Sequence, residues 1–120
     1  IYLGGICPVP PSPELHKVAL GAEEVVPFEH VDSVVDLVKH LKAGGFTVIA
    51  VEQTEHSVKL DNLPEDFPHT RVALVFGNEV DGVQQEVVDE CDFSLEIPQL
   101  GTKHSLNVSV SVGVVLWGIR

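Results

Sequence analysis

Apolar residues in this chain fall into short Val- and Ile-rich runs, separated by stretches where they recur every three or four positions. That alternation is the pattern of a parallel sheet whose strands are joined by covering helices. Residues 1–5 read as a short strand ending in Gly-Gly. Residues 7–13 hold Pro8, Pro10, Pro11 and Pro13 and predict an extended loop. Ser12 caps a short helix with Pro13 at its first position, which runs through Leu20 and stops at Gly21. Residues 24–27 form a short strand. Residues 31–43 form a helix, with Val34, Val35, Leu37, Val38 and Leu41 on its apolar face and Gly44-Gly45 after it. Residues 46–51 and 71–76 are buried strands. Between them, residues 52–68 are polar, contain Pro64 and Pro68, and read as loop. A turn-rich loop over 77–82 leads to a helix over 83–90, a strand over 93–97 and a loop over 98–104. The last run, 106–117, is ambiguous. Its valines alternate with Asn107, Ser109, Ser111 and Gly113, which on period alone gives a strand. Coiled as a helix, the same run puts Ser109 and Gly113 one turn apart on a small-residue face.

Composition narrows the class. The 120 residues fit one domain with one core. No apolar run approaches the ~18 residues of a membrane-spanning helix, and no basic-then-apolar leader precedes the early prolines. Cys7 and Cys91 form no CxxC pair and read as reduced thiols of a cytoplasmic protein. The six histidines form no HxxxH or HExxH pair, so no metal site is expected. A net charge of −11, with seven Lys and Arg, runs against a nucleic-acid partner unless cations are supplied elsewhere or gathered locally. The chain opens at Ile1 directly in an apolar run, which implies that the domain has an earlier segment.

Two stretches carry candidate chemistry. Phe76–Gly82 (FGNEVDG) follows one buried strand, and residues 97–113 (IPQLGTKHSLNVSVSVG) follow another. Ligands of open α/β sheets bind at the carboxyl ends of strands. There Gly77 and Gly82 permit close backbone approach or positive φ, and Asn78, Glu79, Ser105 and Asn107 supply polar groups. Turn chemistry and a helix cap would account for each stretch taken alone.

Taken together and in this order, VFGNEVDGV (75–83) and IPQLGTKHSLNVSVSVGV (97–114) resemble the second and third motifs of the SpoU-type ribose 2′-O-methyltransferases of the SPOUT superfamily. GICPVPP, KVALGAEEVVPF and IAVEQT sit where that family carries similar text. The resemblance implies an α/β fold with a mostly parallel sheet, helices over it and a C-terminal trefoil knot. The last segment is then a helix starting near Ser105 or Leu106, against its local period. It implies S-adenosylmethionine as methyl donor, held largely by backbone at Val51, Glu52, Gln53 and Thr54, at Phe76, Gly77 and Asn78, and at Ile97, Pro98, Leu100 and Leu106. Ile97, Leu100 and Leu106 would wall the adenine. The substrate would be a ribose 2′-hydroxyl of tRNA or rRNA, with Glu79, Ser105 and Asn107 at the catalytic centre. The arginine of the family's first motif lies upstream of residue 1, and neither Arg71 nor Arg120 matches its position. The resemblance also implies a cytoplasmic homodimer, for which Val108, Val112, Gly113 and Trp117 are the candidate surface.

Plainer roles stand beside these. Glu79 could cap the next helix, Ser105 could be an N-cap only, and Asn107 a satisfied buried amide. The acidity suits a non-catalytic RNA-binding protein on the same scaffold. An unknotted nucleotide-binding domain lacks its fingerprint, since neither GxGxxG after a strand nor GxxxxGK[ST] occurs.

Overall fold

The computed structural model describes residues 1–4, 27–78, 81–98 and 108–119. The chain divides into two units, residues 1–37 and 38–120.

In the first unit, β1 (Tyr2–Gly4) pairs in parallel with β2 (Glu29–Val31). Val31 thus belongs to a strand rather than to the next helix, and of the strand predicted over 24–27 only Pro27 is described, outside β2. Residues 24–26 are outside the described set. Helix α1 (Val34–Ala43) starts only after Ser33, whose hydroxyl accepts the Asp36 N–H at 3.2 Å. That N-cap, with an acidic residue in the first turn, sets the boundary that apolar periodicity alone placed too early.

The second unit is built on a four-stranded sheet in the order β4-β6-β3-β5, parallel at every pairing. Its strands are β3 (Thr47–Val51), β4 (Val58–Lys59), β5 (Val72–Phe76) and β6 (Phe93–Glu96). Helix α2 (Gln85–Glu90) precedes β6, and α3 (Val108–Ile119) closes the chain. The α/β class with a mostly parallel sheet is thus observed. So is the final helix, although its composition is that of a strand: tertiary packing overrides the period-two signal. The polar segment 52–68, read as loop, contains β4 and a 3₁₀ turn at Leu60–Asn62.

Both faces of β3 are covered. On one, Ile49 packs with Leu95, Phe67 and Val115 of α3, and Val51, Leu74, Phe76, Phe93 and Ile97 pack around them. On the other, Val48 and Ala50 are fully buried by strand alternation. Helix α3 also packs tightly against the 3₁₀ turn, since a Cβ at Gly118 would come within 2.7 Å of Leu60. His69 Nδ1 lies 3.1 Å from the Ile119 carbonyl.

The amino ends of the strands are tied by a polar clip. Asp92 accepts the Val48 N–H and donates its own N–H to the Val48 carbonyl, each at 2.8 Å. Lys42 donates to the Glu90 carbonyl at 2.9 Å, which joins α1 to α2. Cys91, free and buried, sits within this clip. Burial pushes its thiol from 9.0 up to about 11, Asp92 and Glu90 add to the rise, and Lys42 opposes it.

Two outcomes follow. Val115 is fully buried, so Val115→Ala lowers the unfolding free energy by about 2 kcal/mol in urea titration. The raised Cys91 value favours the protonated fold. Its contribution is complete below pH 9.0 and is lost as pH rises to about 11. Unfolding midpoints across that window fall less steeply in Cys91→Ser than in the parent.

Candidate active site

The strand register builds a platform. Val51 pairs with Phe76 of β5 and with Leu95 of β6, so the carboxyl ends of three adjacent strands stand level. The chain leaves them at Glu52, Gly77 and Ile97. Val51, Phe76 and Ile97 are half-buried and pack on the core beneath.

The segment after β3 grips the end of β6 from both sides. Glu52 donates its N–H to the Leu95 carbonyl at 3.1 Å. On the far side of β6, Val58 pairs with Leu95 and Lys59 with Glu96. Between these contacts the Ser57 hydroxyl lies 2.6 Å from Glu96 Oε1 and 3.0 Å from the Thr54 carbonyl.

The segment after β5 folds back on itself. Gly82 donates to the Asn78 carbonyl at 3.0 Å, and Asn78 Oδ1 accepts the Asp81 N–H at 2.6 Å. Gly82 has φ +66°, a conformation that glycine adopts without steric cost. Gly77 lies so close to the backbone of Gly82 and Val83 that a Cβ on it would collide with both. The two loops meet at Glu52, whose Oε2 accepts the Val83 N–H at 2.9 Å while Oε1 accepts the Gln53 N–H at 3.2 Å.

Of the residues singled out from sequence, Val51, Glu52, Gln53, Thr54, Phe76, Gly77, Asn78, Ile97 and Pro98 all fall at this edge. Glu79, Leu100, Ser105, Leu106 and Asn107 lie outside the described residues. Arg71 is at the opposite end of β5. Its guanidinium sits over Phe46, 4.8 Å from the ring centroid, and donates to the Gly44 carbonyl. At ~3.3 Å per residue, the strand separates it from Phe76 by about 16 Å. The Ser57–Glu96 and Glu52–Val83 contacts were not legible in the sequence, because they join residues 39 and 31 positions apart. Among the described residues, no group of His, Cys, Asp and Glu could hold a metal ion. No described helix is long and apolar enough to cross a membrane.

A model of the SpoU rRNA Methylase family matches residues 1–117. The chain belongs to that family. Among SpoU relatives, the 23S rRNA (guanosine-2'-O-)-methyltransferase RlmB of Neisseria meningitidis is 39% identical over 101 residues, covering 83% of this chain and 38% of that protein. The crystal structure of the TrmH/SpoU tRNA modifying enzyme of A. aeolicus superposes with TM-score 0.82 at 29% identity, over 98% of this chain and 58% of that one. The SpoU methyltransferase AviRb of Streptomyces viridochromogenes, solved in complex with AdoMet, superposes with TM-score 0.75 at 25% identity, over 98% and 47%. This SpoU chain therefore spans less than two thirds of each of these three relatives.

Substituting Gly77→Ala forces the 77–83 turn apart. The expected cost is about 2 kcal/mol or more in urea unfolding, with the loss concentrated in amide-exchange protection of Gly82 and Val83.

Proposed function

We propose that this chain carries the catalytic part of an S-adenosylmethionine-dependent methyltransferase acting on a ribose 2′-hydroxyl of tRNA or rRNA. The observation that carries the reading is the level edge formed by Val51, Phe76 and Leu95, which the chain leaves at Glu52, Gly77 and Ile97, in a SpoU-family chain. The donor set suits an adenosine. Val51, Phe76 and Ile97 offer apolar walls, and the Gly77 turn brings bare backbone to the edge. Backbone of 51–54, 76–78 and 97–98, with Leu100 and Leu106, holds the nucleoside part. When bound, the cofactor supplies an electrophilic methyl on a sulfonium. Glu79, Ser105 and Asn107 position the ribose and its hydroxyl, which must shed its proton as the oxygen is methylated. Arg71 has no part in that step, given its place at the far end of β5.

The relatives named for tRNA and rRNA methylation support the substrate class and a cytoplasmic setting. Phosphate affinity falls mainly to cations outside this acidic surface, since the net charge is −11. The knot is supported by the path of the chain. Residues 52–57 pass from one side of β6 to the other at its carboxyl end, a crossing next to which a threaded segment could lie. A homodimer through α3 is supported by its exposed Val110, Val114, Leu116 and Trp117. Of the surface read from sequence, Gly113 and Trp117 are exposed, whereas Val108 and Val112 are half-buried. The pairing stripe therefore centres on Val110, Gly113, Val114 and Trp117.

Calorimetry of the full-length protein with S-adenosylmethionine gives saturable binding, and no heat at millimolar ligand overturns the reading. Incubation with total RNA followed by mapping of 2′-O-methyl sites identifies the nucleotide. Glu79→Ala, Ser105→Ala and Asn107→Ala each lower kcat by about 100-fold with smaller changes in cofactor affinity.

A further inference from the structure

We propose that Glu52 is a positioning residue whose carboxylate latches the loop after β3 to the loop after β5, so that the two reach their ligand-binding shape together. The inference rests on the cofactor site proposed above and assigns a role to a side chain where only backbone was expected to act.

Three features of the geometry converge on this carboxylate. Oε2 accepts the Val83 N–H at 2.9 Å across the two loops, and Oε1 accepts the Gln53 N–H at 3.2 Å within its own. The space it fills exists because residue 82 is glycine: a Cβ there would run into Oε2. The turn that presents Val83 is itself held shut by the Asn78–Gly82 pairing and by the close approach of Gly77. A bond from a backbone N–H to an ionised acceptor is about twice as strong as a neutral one. Without it, a partly buried donor loses its partner. Because Glu52 also donates its own N–H to Leu95, one residue joins the ends of β3 and β6 to the loop after β5. Holding loops in their bound shape before the ligand arrives removes an ordering cost from binding.

The chemistry distinguishes an acceptor from a charge. Glu52→Gln keeps an oxygen for the Val83 N–H. Glu52→Ala removes it, and Glu52→Asp withdraws it by one methylene.

The test compares the parent full-length protein with these three variants. Amide exchange reads the latch directly, and calorimetry with S-adenosylmethionine and its demethylated product reads the site. In Glu52→Ala and Glu52→Asp, Val83 loses exchange protection and affinity for both ligands falls about tenfold. KM for the cofactor rises while kcat at saturation stays within about threefold of the parent. Glu52→Gln recovers Val83 protection and most of the affinity. The ratio of the two ligand affinities is the same in all four proteins.

Unchanged Val83 exchange in Glu52→Ala overturns the latch. So does Glu52→Gln behaving like Glu52→Ala, or a ligand ratio that shifts with the charge, since the carboxylate would then act on the sulfonium itself. A parent protein that binds neither ligand overturns the cofactor reading and the positioning role with it, while Val83 exchange still reports whether the contact exists.

Discussion

Strand β6 lies between two strands that the chain joins with residues 52–57 alone. Parallel neighbours ordinarily need a crossover of about a dozen residues, because the chain must travel back along the sheet. Here it does not travel back. Strand β4 pairs only with Leu95 and Glu96, at the carboxyl end of β6, so the connection steps sideways at constant height. Most of the site depends on that constraint. It makes Leu95 a fully buried centre flanked on both sides, holds the segment after β3 at the sheet edge, and brings Ser57 onto Glu96.

Among the described residues, the edge so formed is held largely by bonds to backbone groups. Most of these contacts are N–H groups meeting carbonyls or carboxylates, joined by the Ser57 hydroxyl on Glu96, and the tightest points are Gly77 and Gly82. Such a surface suits a ligand recognised by shape and by amide edges more than by charge. It also separates two tasks. The apolar floor of Ile49, Phe67, Leu95 and Val115 holds the sheet to α3, whereas the loops above are held by a few directional bonds. Loops of that kind are expected at the low end of local stability, and a single carboxylate bridging two of them acts where ordering is most costly.

Helix α3 shows how packing and exposure share one short element. Val115 is fully buried and Ile119 joins the core, while Val110, Val114, Leu116 and Trp117 are exposed. A helix apolar on most of its surface buries one stripe in the core and leaves another exposed.

The parallel α/β class was readable because buried strands are short Val- and Ile-rich runs, and 46–51, 71–76 and 93–97 all proved to be strands within a residue or so of those bounds. The turn after β5 was equally readable, because Gly77, Asn78 and Gly82 mark it by composition. Strand β4 was not, since two residues in a polar stretch leave no period to detect. The start of α1 was missed because Ser33, not the apolar pattern, terminates the preceding extended segment. For α3 the local pattern favoured a strand, and only its resemblance to a known motif favoured a helix; burial of Val115 among residues far away in the chain explains the outcome. The Glu52–Val83 bond belongs to the same class. Local residue preferences specify turns and strands one at a time, but which carboxylate meets which amide across 31 positions is set by the strand register, and that exists only once the sheet has assembled.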